Sequence, residues 1–297
     1  MERVAWLDPA ELRIGLGCLR LPVDEEAACA TIAAAASGGI TVFDTGHAYG
    51  AERGGGERLL ARALGDADPG GRARIITKGG MARPEGRWVP DGRARAIAAD
   101  CEASLIALDG REIDLYLLHA PDPRTPWATS LRALTRLVER GFVRRVGVAN
   151  VNRTQLDQAL QLAPIAAVQV ALSPLDDRAI RGGVLERCDE LGLTLLAHSP
   201  LGGPRHVHAL LRRGELAEIG RHHGATPAEV ALAWLLSRSP SVVPIPGASR
   251  PASARSSATA ATLVLDEDDR VSLAAAFGDA QPTAAARHSA VLTTGRL

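Results

Sequence analysis

The sequence predicts an α/β protein built as one (β/α)8, or TIM, barrel, and three observations point there. Short apolar runs alternate with alanine- and leucine-rich helical stretches along most of the chain, and such alternation implies a parallel sheet. The run Ile113–His119, read Ile-Asp-Leu-Tyr-Leu-Leu-His, is nearly continuous in apolar residues, as in a strand buried on both faces. Eight strand candidates, each followed by a helix, recur at spacings of roughly 20–50 residues, which fits a closed barrel in a chain of 297 residues.

Arg13–Leu21 reads as a strand that runs into a glycine-bearing loop. Asp24–Ser37 has acids at its start and Gly38-Gly39 at its end, the signals of a helix. Ile40–Asp44 is the second strand, Glu57–Leu64 a helix, Ala73–Lys78 the third strand, Arg93–Leu108 a helix and Ile113–His119 the fourth strand. Thr125 and Pro126 offer a cap and a first-turn proline for a helix to Glu139, and Val143–Val148 follows as a strand. Asn152 through Gln155 reads as a capping box ahead of a helix, and Ala166–Val170 as the sixth strand. A helix ends near Leu191 before the strand Leu193–Ala197. Thr226, Pro227 and Glu229 combine cap, proline and third-turn-position acid ahead of Val230–Ser237, and Ser241–Pro246 is the last strand. Pro251–Thr262 and Asp266–Ala276 read as helices, so the barrel is expected over 1–276. The tail, 277–297, has no period and either moves freely or lies over the barrel mouth.

Composition narrows the partners. Hydrophobic residues make up 46% of the chain, enough for a sizeable core, but aromatics only 3%, so any aromatic near a candidate site is informative. The net charge is zero and the charges are interspersed, which argues against nucleic acid or an anionic membrane and for a small-molecule partner. No apolar run approaches the ~20 residues of a membrane span and the N-terminus lacks a signal-peptide core, so a soluble cytoplasmic protein is expected. Cys18, Cys29, Cys101 and Cys188 show no paired spacing and read as small buried hydrophobes in a reducing compartment. The pairs His206/His208 and His222/His223 have no acids beside them in sequence, so no metal site is expected.

The polar residues that interrupt the apolar runs fall at strand ends. Asp44 ends the second strand, Lys78 the third and His119 the fourth; Asn150 follows the fifth, Gln169 ends the sixth and Ser199 follows the seventh. In a barrel these positions share the carboxyl-end face, where barrel active sites are built. Two of them are marked by scarcity. Lys78 is the only lysine among 34 basic residues, and Tyr49 is one of two tyrosines, the other lying inside an apolar strand. Lysine, unlike arginine, is a compact charge whose pKa its surroundings can tune.

At these residues the chain resembles the aldo-keto reductases. The resemblance is carried by Phe43-Asp-Thr-Gly-His-Ala-Tyr-Gly50 with Glu57 downstream, Ile76-Thr-Lys78, Leu117-Leu-His-Ala-Pro-Asp122, Gly147-Val-Ala-Asn150, Gln169, His198-Ser-Pro-Leu-Gly202 and Pro244-Ile-Pro-Gly-Ala248. It runs in family order from about Arg13 to Thr262. The resemblance implies a catalytic group of Asp44, Tyr49, Lys78 and His119 and a nicotinamide cofactor, NADP(H), across the barrel mouth. It also implies cofactor contacts at Gly17 and Cys18, at Asn150 and Gln169 for the carboxamide, at Ser199 and Leu201 near the pyrophosphate, and at Gly247 and Arg250, with Arg250 for the 2′-phosphate. Ala149, Leu172, Ser256 and Ser257 depart from the family pattern.

Those residue types suit carbonyl reduction, in which hydride reaches carbon and a proton must reach the developing alkoxide. Tyr49 is the candidate acid. A free tyrosine has a pKa of ~10, and a cation about 4 Å away is worth up to ~4 kcal/mol at an effective dielectric of ~20, so Lys78 is expected to offset desolvation and lower that pKa by about a unit or more, a shift that screening by Asp44 makes smaller. Asp44 is expected to hold Lys78 charged and aimed, and His119 to orient the carbonyl. His47, Trp88 and Trp127 are candidates for the substrate pocket, with packing as the alternative role. Two other functions fit parts of the pattern: a Schiff-base lyase using Lys78, and a non-catalytic nicotinamide-binding regulatory subunit.

Overall fold

The computed structural model describes residues 6–8, 10–68 and 70–278. Eight parallel strands follow one another in chain order to form a nearly closed barrel: β1 (Gly15–Gly17), β2 (Val42–Asp44), β3 (Arg74–Gly79), β4 (Leu115–Leu118), β5 (Val146–Ala149), β6 (Ile165–Ala171), β7 (Thr194–His198) and β8 (Val242–Ile245). A parallel bridge joins Gly17 to Gly247. β2, β4, β5 and β8 are buried throughout, as parallel strands covered on both faces must be. By their contacts the described residues group into two compact units, one of Gly15–Gln169 with Gly247–Arg255, the other of the remainder.

In the first unit the helices begin and end where side chains meet their terminal backbone groups. Asp24 accepts the Ala27 N–H at the start of helix Glu25–Ser37, which closes at Gly38. The capping box foreseen at Asn152 and Gln155 is present and opens helix Arg153–Leu162. Thr125, expected as a cap, has another role. Its hydroxyl donates to Asp122 at 3.0 Å, and helix Trp127–Glu139 starts without a side-chain cap. Asp122 also accepts the Gly92 and Arg124 N–H groups at 3.0 Å each. Burial would raise its pKa, but these bonds outweigh burial and hold the carboxyl well below the usual carboxylate range. The long segment after β3 contains an antiparallel ribbon, Met81–Ala82 with Val89–Pro90.

In the second unit, Thr226 and Glu229 form the expected capping box, and helix Pro227–Arg238 is longer than the predicted Val230–Ser237. Arg13 closes its far end, donating to the carbonyls of Leu236 at 3.2 Å and Ser239 at 3.0 Å, where a cation meets the negative helix terminus. Helices Gly203–Leu211 and Gly214–His223 precede it, and helix Glu267–Phe277 follows later. Leu210, Leu216, Ile219, Val230, Trp234, Leu265 and Leu273 form their common core. The predicted strand Val143–Val148 begins three residues later, and Ile113 and His119 lie just outside β4. Cys18, Cys101 and Cys188 are buried as expected, whereas Cys29 is only partly so. Of the predicted tail 277–297, everything beyond Gly278 lies outside the described residues.

Gly79 is the tightest point in the first unit. A Cβ there would stand 1.9 Å from the Tyr116 hydroxyl and 2.8 Å from the Asp100 Cβ. Tyr116 is fully buried, and its hydroxyl donates to the Ile97 carbonyl at 3.2 Å, so it cannot retreat without losing that bond. Gly79→Ala is therefore expected to destabilise the fold by roughly 1–3 kcal/mol or more, measured as a lower urea midpoint with an unchanged slope; a wild-type midpoint would contradict the packing described.

Candidate active site

Strand register assembles the site. Asp44 pairs with Ile76, so Lys78, two residues further along β3, lies on the same face as Asp44. Lys78 pairs with Leu117, Leu117 with Gly147, and Gly147 with Ala167. His119 and Gln169 each stand two residues beyond a member of that row, and so project from the same face. Gly147 allows the row to close up, since a Cβ there would lie 2.4 Å from the Ala167 carbonyl oxygen.

The Lys78 ammonium is buried, with 1% of the residue exposed. It donates to Asp44 Oδ1 at 2.7 Å, Asp44 Oδ2 at 2.8 Å and the Thr45 carbonyl at 2.7 Å. Gln169 Nε2 donates to Asp44 Oδ1 at 2.8 Å and fixes the carboxylate from the other side. Desolvation pushes the Lys78 pKa down, but the Asp44 charge and hydrogen bonds outweigh it and the net direction is upward. Lys78 is thus held as a cation.

Tyr49 enters from the turn after β2. Backbone bonds from Thr45 to Ile76 (2.8 Å) and from His47 to Lys78 (3.0 Å) continue the pairing past the strand end, and Tyr49 N–H closes the turn on the Gly46 carbonyl at 2.8 Å. The Tyr49 ring covers Gly46, where a Cβ would meet it at 3.1 Å. Lys78 Nζ stands 4.9 Å from the ring centroid. The expected lowering of the Tyr49 pKa is not found. Burial is the largest influence and raises it, Lys78 lowers it, and Asp44 raises it again, so the net direction is upward. The lysine charge is largely balanced by Asp44 two bonds away, and the remainder does not offset desolvation.

Around this pair the aromatic rings form a triangle. Trp88 lies edge-on to Tyr49 at 6.0 Å and to His119 at 5.3 Å, and Tyr49 to His119 at 5.8 Å. Trp88 remains 43% exposed and the Arg83 guanidinium stacks over it at 4.6 Å. A cleft of about 580 Å³ lies beside the Tyr49 turn, lined by Ala48, Gly50, Arg53, Arg83 and Pro84 among others. The other two pocket candidates face elsewhere. Trp127 donates its indole N–H to the Gln155 carbonyl at 3.3 Å, joining two helices. His47 is buried and its Nδ1 meets Glu57 at 2.9 Å, the turn-filling alternative. Glu57 also accepts the Thr77 hydroxyl at 2.5 Å. This buried His47–Glu57–Thr77 link braces the Tyr49 turn against β3 beside Lys78.

The residues assigned to a cofactor divide between the two units. In the first, Gly17 pairs with Asp44, and the Cys18 thiol is buried, its pKa pushed up by burial and then by Asp44. Asn150 takes a left-handed backbone, φ 57°, and its Nδ2 donates to the His119 carbonyl at 2.9 Å. Gly247 and Arg250 precede helix Pro251–Ala260, with Arg250 exposed and donating to Ser253 at 3.1 Å. In the second unit Ser199 is also left-handed, φ 53°, and lines a cavity of about 290 Å³ with Leu172, Arg178, Arg181 and His206 among others. The Leu201 side chain packs on the unit's core. Ser256 donates to Glu229 at 2.7 Å, which gives this departure a packing role.

A model of the aldo/keto reductase family matches residues 13–276. The chain belongs to this family. It is 32% identical over 274 residues to a Glycine max protein named "Probable aldo-keto reductase 1", covering 80% of this chain and 77% of the relative. Among solved structures it resembles a thermostable aldo-keto reductase in complex with the inhibitor epalrestat, at 32% identity and a TM-score of 0.76, covering 89% of this chain and 94% of that one. It also resembles an aldo-keto reductase from Klebsiella pneumoniae in complex with NADPH, at 26% identity and a TM-score of 0.77, covering 90% and 91%. This aldo-keto reductase is accordingly an oxidoreductase, and no helix among its described residues is long and apolar enough to cross a membrane.

Because Lys78 and Asp44 neutralise each other in a buried place, removing one charge exposes the cost of the other. Asp44→Asn is expected to destabilise this aldo-keto reductase by about 3–5 kcal/mol, and the double variant with Lys78→Met by less. Urea denaturation followed by circular dichroism measures both, together with the Lys78→Met single variant; a double loss equal to the sum of the two single losses would show that the pair is not coupled.

Proposed function

We propose that this chain reduces an aldehyde or ketone to an alcohol with NADPH, Tyr49 acting as the general acid. The observation that carries the reading is the buried Asp44–Lys78 pair with the Lys78 ammonium 4.9 Å from the centroid of the Tyr49 ring, next to His119 and a solvent-reachable Trp88. When bound, the reduced nicotinamide supplies a hydride to the carbonyl carbon. Tyr49 gives its proton to the oxygen as negative charge develops there, and Lys78 stabilises the phenolate left behind. Asp44 keeps Lys78 protonated, and His119 orients the carbonyl by hydrogen bonding. Trp88 walls the approach and excludes water from one side.

The residues at hand fit a phosphorylated dinucleotide. Helix Pro251–Ala260 presents its N-terminus just after Gly247 and Arg250, the backbone and charge arrangement that favours a phosphate, and Arg250 is the candidate for the 2′-phosphate. Gly17, Cys18, Ser199 and Leu201 are proposed along the cofactor. Asn150 and Gln169 are proposed at the carboxamide, although each already directs an amide N–H into the site, to the His119 carbonyl and to Asp44. The partner is then a small carbonyl compound.

Two alternatives are weaker for physical reasons. A Schiff base requires Lys78 as a free amine, and Asp44 drives it the other way. A regulatory subunit without turnover has no need of a tyrosine set beside a buried ammonium, and NADPH oxidation across an aldehyde panel separates the two cases.

Tyr49→Phe is expected to lower turnover by about 10²–10⁴-fold while NADPH affinity, read by fluorescence quenching, stays near wild type; unchanged turnover would remove Tyr49 from the mechanism. The upward direction of the Tyr49 pKa gives the sign of the pH dependence. The phenol remains protonated beyond its ordinary value of 10.0, so carbonyl reduction should show no loss from this group across the neutral and mildly alkaline range. The reverse oxidation, which needs the phenolate, should rise with pH throughout that range. A reduction rate that Tyr49→Phe shows to be Tyr49-dependent and that falls below pH 9 would contradict the assignment.

A further inference from the structure

In the second unit, two helices meet end to end in chemistry that the reductase site does not use. Helix Gly214–His223 finishes on His222 and His223 before a left-handed Gly224, and helix Glu267–Phe277 starts at Asp266 with Asp269 in its first turn. No metal site was expected from the sequence around the two histidines; folding brings Asp266 and Asp269 to them, Asp269 from 46 residues away. One ligand atom from each of His222, His223, Asp266 and Asp269 can be chosen so that all four lie within 4.8 Å of one another.

We propose that these four residues bind a divalent transition metal of the zinc type and that the ion ties the two helices together. The donor set is two imidazoles and two carboxylates. Zinc takes four such ligands at about 2.0–2.2 Å, which places tetrahedral donors about 3.4 Å apart. The cluster needs a contraction of no more than about 1.4 Å at its widest, and His223 Nε2 and Asp269 Oδ2, now 2.6 Å apart around one proton, must open by about 0.8 Å to let the ion replace that proton. Imidazole selects zinc, nickel or cobalt over the oxygen-seeking calcium and magnesium.

Most of the site is held in place beforehand. Asp266 accepts the Asp269 N–H at 2.8 Å and Asp269 accepts the Asp266 N–H at 3.1 Å, so the capping box orients both carboxylates. Leu216 and Ile219 of one helix and Leu273 of the other sit in one apolar core with Leu265, which fixes the distance between the helix ends. His222 is the exposed arm, its ring 4.9 Å from that of His223. Four protein ligands leave no open position, so the ion is structural.

The test is a titration of the full-length protein with Co²⁺, whose visible d–d bands report tetrahedral coordination, followed by displacement with Zn²⁺. One equivalent of Co²⁺ is expected to develop the bands, Zn²⁺ to abolish them and to raise the Tm, and Mg²⁺ or Ca²⁺ to do neither. His222→Ala alters an exposed side chain, and Asp266→Asn retains a capping acceptor while removing the charge. The double variant is expected to bind Co²⁺ at least tenfold more weakly, and His206→Ala/His208→Ala as tightly as wild type. Absence of the bands in wild type, or equal binding by the Asp266/His222 double variant, would overturn the proposal.

Discussion

The site depends on one buried ion pair. Taking the Lys78 ammonium and the Asp44 carboxylate out of water carries a large desolvation penalty, which their attraction offsets only if the remaining donors and acceptors are satisfied. Here they are. The ammonium meets both Asp44 oxygens and the Thr45 carbonyl, and Gln169 holds Asp44 from β6. These partners arrive from β2, β3 and β6, so the pair forms only when those strands are in register. A slip of one residue would turn Lys78 to the opposite face. The pair thus links a local electrostatic requirement to the alignment of a large part of the barrel.

That pair also explains the behaviour of Tyr49. Within a buried pocket an ammonium alone would draw a phenol toward ionisation, but the carboxylate that keeps Lys78 charged also lessens its effect on Tyr49. With burial as the largest influence, the phenol is left neutral, which is the state a proton donor requires. Its aim comes from a second buried network. Glu57 is fully buried and binds His47 from the Tyr49 turn and Thr77 from the strand that carries Lys78. Acid and cation are therefore positioned by neighbouring residues on the same two segments.

Much of this was legible in the sequence because it depends on short-range pattern. The strand ends that deliver Asp44, Lys78 and His119 are marked by apolar runs, and the capping boxes at Asn152 and Thr226 lie within four residues. What escaped depends on distant pairs. Nothing near Gln169 shows that its amide reaches Asp44, 125 residues away, or that His223 meets Asp269. Thr125 resembled a cap because its local sequence allows one, yet Asp122 takes its hydroxyl. The direction of the Tyr49 pKa was missed for a related reason: opposing influences of similar size act on it, and only the depth of burial decides which prevails.

The single lysine follows from the same geometry. The acceptors around Lys78 Nζ stand at 2.7–2.8 Å, from two carboxylate oxygens and a main-chain carbonyl. They converge on one point, as the three donors of a compact ammonium require. An arginine would bring a planar fork of five donors into a place where the residue is 1% exposed, leaving some without partners and displacing the phenol. Several arginines lie instead on the surface and pair with carboxylates, as Arg93 does with Asp91 and Arg178 with Asp176. At position 78 the cation must be small, buried and set between a carboxylate and an aromatic ring, and lysine is the side chain that meets all three conditions.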